Sequence, residues 1–351
     1  MHMADALLAP AVAATMYVAS GVAAGVSVNK IKKNDEDLQK ILTMAVSAAL
    51  VFAGQMINYT IPGTGSSGHL CGGMMLSALL GPQAGFLSMI VILAIQCLFF
   101  ADGGLMALGA NCWNMAFYGC FIGYYCIWKP IMGSKMFSNM ETKAATRLKI
   151  IIASIVGCIV TLQLGAFSVV IETSLSGITE LPFGAFMALM QPIHLAIGLI
   201  EGIITAAVVC FIYEARPNLV QCVDAKKSGS GKFSLKTTIV IVAVVVAIVG
   251  GGLSHLASGN PDGLEWSLFG NAEEGYSENM GLDEDDFGVS SSIADAAASV
   301  QDKTAFLPDY AFANSDSAAG TTVSGLVGSA LVALVAFIVC KLGGFFKKKN
   351  A

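Results

Sequence analysis

Long apolar stretches alternate along the chain with short polar segments that are rich in basic residues. Residues 103–128 and 150–171, for example, carry no charged side chain. A helix of about 20 such residues crosses the roughly 30 Å of hydrocarbon in a bilayer. The pattern therefore predicts nine helices, over residues of about 6–29, 40–59, 70–81, 84–101, 103–128, 148–171, 184–213, 237–256 and 321–342.

The third predicted helix is too short to span a bilayer and is interrupted by Gly81 and Pro82. Irregular backbone at membrane depth is tolerated only where it is buried in protein or lines a cavity. We therefore expect both ends of this helix to lie inside the bundle.

Composition and charge support a membrane protein and give it an orientation. The chain is 55% hydrophobic and 12% charged, whereas soluble domains carry about 25% charged residues. Basic residues cluster on the cytoplasmic side of membrane proteins. With the amino terminus outside, 18 of the 19 basic residues fall on that side and only Lys303 lies outside. The sequence predicts an all-α, multi-pass protein of a prokaryotic inner membrane, with an external amino terminus and a cytoplasmic carboxyl terminus.

Both the cysteines and the amino terminus are expected to be chemically unmodified. The nine cysteines lie mainly in apolar segments and form no CxxC pair, which favours small packing residues over disulfides or a zinc site. No basic stretch precedes the first apolar run and no small-residue cleavage site follows it, so we expect the first residue to be retained.

The charge pattern divides the chain into two membrane units. Residues 1–215 form a predicted seven-helix unit, and residues 216–236 form a cytoplasmic linker. Residues 237–351 contribute two further helices that flank an external loop of about 257–320, with thirteen acidic residues against one lysine. The acidic run 283–286 is typical of a solvated tether. The alternative is a weak concentrator of cations near the external face.

Candidate chemistry lies in two histidines of the predicted external face. If Met1 is retained, its amine and the His2 main-chain nitrogen close a five-membered chelate ring, and His2 Nδ1 closes a six-membered one. His69, in a glycine-rich external stretch, is free to supply a fourth nitrogen. Binding of this kind requires the amine and the amide to lose protons. It favours nickel, copper or low-spin cobalt over magnesium, calcium or manganese. Taken singly, each histidine is more often an ordinary terminal or loop residue.

Four separated motifs resemble those of a known family. They are MHMADALLAP at the start, QMINYTIPGTGSSGHL at 55–70, LFFADGGLMALGANCWN at 98–114 and HLAIGLIEG at 194–202. The chain is similar here to the CbiM/NikM substrate-specific components of energy-coupling factor transporters for cobalt and nickel. Residues 237–342 resemble the smaller CbiN/NikN-type partner, through the PDGLE motif at 261–265.

The resemblance implies square-planar nitrogen ligation of a transported Co²⁺ or Ni²⁺ by Met1, His2 and His69, with no permanent cofactor. It also implies two cytoplasmic ATPase subunits and a coupling membrane protein as partners within the lipid bilayer. No nucleic-acid partner is expected. The family often has a proline where this chain has Ala4, and residues 266–320 follow no family pattern.

Polar residues near the ligands are candidates for a supporting role. Asn58 and Asn111 are predicted to hold the loop around His69 or to orient its imidazole. Asp102, in a predicted external turn, either accepts a hydrogen bond from a ligand or serves as a turn residue.

Ionisable residues near the sixth and seventh helices are predicted to have other roles. His194 and Glu201 are seven residues apart and share a face of the seventh helix. They are interpreted as a structural polar network between helices, with a coupling role as the alternative. Glu172 and Glu180 are expected to be solvated in an external loop.

The function predicted from these features is metal uptake energised by other subunits. No G-x-x-x-x-G-K-[ST] loop occurs in the chain, so ATP hydrolysis is assigned to partners and the chain is not expected to be an enzyme. The alternative is a stand-alone secondary transporter or channel for divalent transition metals, although ionisable groups in the spans are sparse. An intramembrane metalloprotease is disfavoured because H-E-x-x-H is absent.

Overall fold

The computed structural model describes residues 1–32, 38–224, 231–282, 287–312, 317 and 319–342. Within these residues the protein is a helical bundle, and the predicted all-α membrane class is confirmed. Seven helices precede the linker: α1 Pro10–Lys32, α2 Leu38–Gln55, α3 Gly73–Leu80, α4 Pro82–Phe100, α5 (the consecutive segments Leu108–Asn111, Cys112–Trp128 and Lys129–Gly133), α6 Thr142–Leu175 and α7 Phe183–Ala215. Four follow it: α8 Leu235–Gly251, the short α9 Gly263–Phe269 and α10 Ser292–Thr304, and α11 Ala319–Leu342.

Among the described residues, five helices are long and apolar enough to cross a membrane: Pro10–Ile31, Pro82–Phe100, Thr142–Leu175, Phe183–Ala215 and Ala319–Val339. Shorter apolar helices cover Ile41–Gln55 and Leu235–Gly251. In α7 the apolar residues Leu195, Leu199 and Ile203 are exposed along one face. These side chains recur every four residues, as expected for a helix face turned toward lipid.

The short helix α3 lies entirely inside the protein, as its length predicts. Its first turn follows Gly72, whose φ of 83° is left-handed and whose missing Cβ avoids the Val51 side chain. The Glu201 carboxylate accepts hydrogen bonds from the Cys71 and Gly72 amides at 2.9 and 3.0 Å. At the other end, the Gln221 amide and side chain donate to the carbonyls of the last turn. Both ends of α3 are therefore fixed by hydrogen bonds within the bundle.

One end of the bundle, here called the Met1 end, gathers the segments that carry the candidate residues. The first residues form a 3₁₀ turn, Asp5–Leu7, before α1. A two-stranded antiparallel hairpin connects α2 to α3, with β1 Tyr59–Ile61 paired to β2 Ser66–Gly68. A turn at 101–104 connects α4 to α5. The hairpin therefore places His69 at the same end of the bundle as Met1 and Asp102.

The second unit packs on the first rather than extending from it. Helices α8 and α11 contact α2 and each other, and the segment between them lies over the Met1 end. Within the predicted external loop of about 257–320, the described residues form α9, α10 and a 3₁₀ turn at Pro308–Tyr310. Leu264, Leu268 and Leu307 are buried, so apolar contacts hold the segment in place. The acidic run 283–286 lies outside the described residues.

Three further expectations can be compared with the described residues. None of the eight cysteines whose side chains are described forms a disulfide, and six are buried or half-buried. The prediction that Glu172 is solvated is wrong: this residue lies inside α6 and is 4% exposed, and its carboxylate accepts a hydrogen bond from Asn114. The predicted helix ended four residues too early, because the polar residues Glu172, Thr173 and Ser174 continue the helix to Leu175. Glu180 is exposed, as expected.

Candidate metal centre

The first three residues are folded into the protein core. Met1 is 4% exposed and Met3 is fully buried. The side chain of Asn111 accepts a hydrogen bond from the Met3 amide at 2.8 Å and donates to the Met3 carbonyl at 3.2 Å. Asp5 accepts from the Ala107 amide. These bonds fix the register of the chain start, so that the Met1 amine is aimed into the bundle.

His69 presents one ring nitrogen to that amine. Its Nδ1 donates to the Leu70 carbonyl at 3.2 Å, and its Nε2 lies 3.3 Å from the Met1 nitrogen. Burial, together with the neighbouring amino terminus, lowers the pKa of His69. The imidazole is therefore neutral at pH 7, with the Nε2 lone pair directed at Met1. This is the tautomer that binds a metal through Nε2.

A carboxylate of the second unit completes the surroundings of the Met1 amine. The ammonium group donates to Asp262 Oδ2 at 2.7 Å, and the same oxygen lies 3.5 Å from His69 Nε2. Burial acts to lower the pKa of the amine, but the adjacent Asp262, together with Cys71 and Asp102, outweighs burial and the pKa is raised. In turn, although burial opposes this shift, the ammonium group holds the pKa of Asp262 well below its ordinary value.

His2 lies beside His69, with ring centroids 5.1 Å apart and planes inclined by 31°. Its Nδ1 hydrogen-bonds to Asp102 Oδ1, and its buried Nε2 has no hydrogen-bond partner. The Tyr310 hydroxyl donates to the other Asp102 oxygen at 2.5 Å. Burial opposes ionisation of Asp102, but His2 and Tyr310 outweigh it and lower its pKa to about 2. Asp102 thus orients His2 and is itself held by the second unit.

The spacing of the nitrogens suits adjacent ligands of one ion. Metal–nitrogen bonds of about 2 Å place neighbouring corners of a square about 2.8 Å apart. The 3.3 Å between the Met1 nitrogen and His69 Nε2 is close to that value. No cluster of three or more His, Cys, Asp or Glu side chains able to hold a metal occurs among the described residues. Beside the two imidazoles, the Met1 amine and the His2 main-chain nitrogen are available as further nitrogen donors.

A polar cavity of about 570 Å³ lies next to these nitrogens. Its walls include His2, His69, Asp102, Asp309 and Glu265. Asp262, together with burial, raises the pKa of Glu265 to about 7. The remaining carboxylates give the cavity a negative charge that attracts cations.

The two asparagines predicted to support the ligands, Asn58 and Asn111, lie in different parts of the structure. The Asn58 side chain lines the cavity, and its carbonyl accepts from the Ser258 amide. Asn111 lies at Met3 rather than at the His69 loop that was one of its predicted positions. The reason is that α5 begins beside the amino-terminal segment.

His194 and Glu201 of α7 lie next to the site, and both are 1% exposed. His194 Nδ1 donates to the Met190 carbonyl of its own helix at 2.8 Å. Glu201 instead holds the start of α3, two residues beyond His69. The predicted shared, inward face of α7 is therefore present, and Glu201 connects it to the segment that carries His69.

Comparison with known proteins identifies the family to which the chain belongs. Residues 2–219 match the family model of the cobalt uptake substrate-specific transmembrane region, CbiM, and residues 236–343 match that of the PDGLE domain. The chain belongs to the CbiM family. As a CbiM-family protein fused to a PDGLE domain, it is a cobalt or nickel transport component of the membrane.

Relatives of this CbiM-family chain carry transport names. An Archaeoglobus fulgidus protein, provisionally named fused nickel transport protein NikMN, is 33% identical over 97% of this chain and 98% of its own length. The cobalt transport protein CbiM of Sorangium cellulosum is 30% identical over 52% of this chain and 78% of its own. The crystal structure of a truncated transition metal transporter aligns with a TM-score of 0.50 and 29% identity, covering 61% of this chain and 99% of the other.

Asp262 and Tyr310 were not identified as site residues from the sequence. Asp262 was counted only as one of many acidic loop residues, although the spacing Asp-Gly-Leu-Glu is a capping-box pattern that predicts a helix start. Tyr310 lies in a stretch without periodicity. Only the packing of the second unit brings these side chains to Met1 and Asp102.

Proposed function

We propose that this chain captures Ni²⁺ or Co²⁺ at the external face of the membrane through Met1, His2 and His69, and that partner ATPase subunits drive its release inward. The observation that carries the proposal is the 3.3 Å approach of the Met1 nitrogen to His69 Nε2, with the His2 ring alongside. The ligands are the amine, the His2 amide nitrogen and the two imidazoles. Such a set suits ions that favour planar nitrogen ligation.

The proposed orientation places the Met1 end outside. At the far end of α7, Glu214 pairs with Arg147 and, at 3.1 Å, with Lys232. Lys30 and Lys129 line one cavity near the start of α4. A basic surface remote from the site supports assignment of that end to the cytoplasm, where ATPase subunits act.

His69→Ala should abolish high-affinity nickel binding and nickel uptake, because it removes one of the four proposed ligand nitrogens. His255→Ala is the matched control, since His255 bonds to Thr322 in the second unit, away from the site. Nickel titration of both purified variants measures the effect. Unchanged binding in His69→Ala would refute the ligand assignment.

Uptake in cells that express the chain with and without its partner ATPase subunits tests the energy source. The proposal predicts loss of uptake against a gradient when ATP hydrolysis is disabled by substitution in the partner. Uptake that persists and follows the proton gradient instead would favour a secondary transporter.

Nickel affinity should rise steeply with pH. The Met1 amine binds a metal only after losing its proton, and its raised pKa extends proton competition above neutral pH. With the amide proton also released, the apparent association constant should increase with a slope of about two protons per ion, measured by titration across a pH series. A slope near zero would exclude the amine and amide as ligands.

A further inference from the structure

The second unit reaches the candidate metal centre with a carboxylate that contacts the first residue. We propose that Asp262 is a positioning residue of the capture site, which holds Met1 in the geometry that receives the ion. The inference rests on the proposed function of Met1, His2 and His69. It assigns the PDGLE motif a role in placing ligands rather than in binding the ion.

The first step of the argument is how Asp262 is held. Its Oδ1 accepts from the Leu264 and Glu265 amides at 2.7 and 3.0 Å, and Glu265 Oε2 accepts from the Asp262 amide at 3.1 Å. This capping box starts α9 and fixes the side-chain rotamer of Asp262. The other carboxylate oxygen, Oδ2, accepts a hydrogen bond from the Met1 ammonium group at 2.7 Å. The motif thus directs one carboxylate oxygen at the amino terminus.

The second step is that α9 and the turn before it are hydrogen-bonded to the hairpin that precedes His69. The Ser67 amide donates to the Pro261 carbonyl at 2.8 Å, and Trp266 Nε1 donates to the Thr64 carbonyl at 2.9 Å. Both bonds fasten the PDGLE turn to the hairpin whose second strand ends next to His69. Asp262 therefore sets the position of the Met1 amine relative to His69 Nε2.

The contact of the second unit with His2 is of a different kind. The Tyr310 ring stacks on Phe100 with centroids 4.8 Å apart, and its hydroxyl donates to Asp102 at 2.5 Å. Asp102 uses its other oxygen to accept from His2 Nδ1, the nitrogen that closes the proposed six-membered chelate ring. This hydrogen bond has to break before His2 binds the ion, so the assignment is made for Asp262 and not for Tyr310.

Charge alone does not explain the Asp262 contact. In the proposed loading reaction, a divalent ion replaces the ammonium proton and the amide proton. The charge beside Asp262 is one positive unit before the exchange and one positive unit after it. The carboxylate therefore favours both states to a similar extent, and its net contribution to affinity is the placement of the amine.

Asp262→Asn in the full chain isolates this contribution. Asparagine is as good a helix cap as aspartate, so α9 is retained, but its amide nitrogen cannot accept from the Met1 ammonium. Nickel affinity should fall about 10- to 100-fold, as for other residues that orient ligands. The absorption spectrum at nickel saturation should be unchanged, because the ligand set is intact. Glu273→Gln is the matched control: it removes an exposed acidic group of the same unit that does not line the cavity and should leave the affinity unchanged.

Wild-type or tighter nickel binding by Asp262→Asn would overturn the inference. An altered spectrum would also overturn it, because Asp262 would then be a ligand itself. If His69→Ala, with Asp262 unchanged, binds nickel as the native chain does, the proposed function fails instead.

Discussion

Insertion of one alanine between Met1 and His2 will abolish metal uptake and make nickel binding independent of His69. In the native order, the amine, one amide and the His2 imidazole supply three planar nitrogens, and His69 supplies the fourth. The order Met-Ala-His adds a second amide nitrogen, so the terminus alone fills the plane. A site of four local nitrogens satisfies a planar ion without the loop imidazole.

The measurement is nickel titration of four proteins: the native chain and the insertion variant, each with and without His69→Ala. The nickel affinities of the native pair should differ by about 100-fold or more, which exceeds the loss of affinity seen for residues that only orient a ligand. The insertion pair should not differ. Equal sensitivity to His69→Ala in both backgrounds would contradict the proposed chelate.

Glu201→Ala will destabilise the protein and weaken nickel binding together. Its carboxylate accepts from two buried amides at the start of α3. Each buried N–H left without an acceptor costs about 1–3 kcal/mol, so the free energy of unfolding should fall by about 2–6 kcal/mol. Because these amides follow His69 by two and three residues, the loop that presents the imidazole loosens as well.

Thermal unfolding in detergent and nickel titration on the same samples check this prediction. Glu201→Gln should have a smaller effect, since the amide oxygen still accepts from the backbone. Glu180→Ala, at an exposed glutamate of a loop on the same chain, is the control and should change neither quantity. Normal stability in Glu201→Ala would show that the start of α3 finds other partners.

The arrangement of helices follows from the sequence because lipid imposes strict rules on it. Apolar runs gave the positions of the long helices, and the shortness of the third predicted helix correctly indicated that its ends are buried. The pairing of His2 with His69 was expected because both were assigned to one face of the membrane. Each of these inferences used local pattern or a constraint of the bilayer.

The supporting contacts could not be predicted in the same way. Asp262 meets Met1 across 261 positions of sequence, and Tyr310 meets Asp102 across 208. Such contacts depend on how the second unit packs, and the acidic composition of its loop suggested solvation instead. Asn111 illustrates the same limit on a smaller scale: its motif was recognised, but its partner is the Met3 backbone.

X-ray absorption at the nickel edge of the loaded full chain tests the central assignment most directly. The account predicts a square-planar site of four nitrogen neighbours, with the scattering pattern of two imidazoles and no sulfur. An octahedral shell of oxygen atoms, or a sulfur neighbour from a nearby methionine or cysteine, would contradict it.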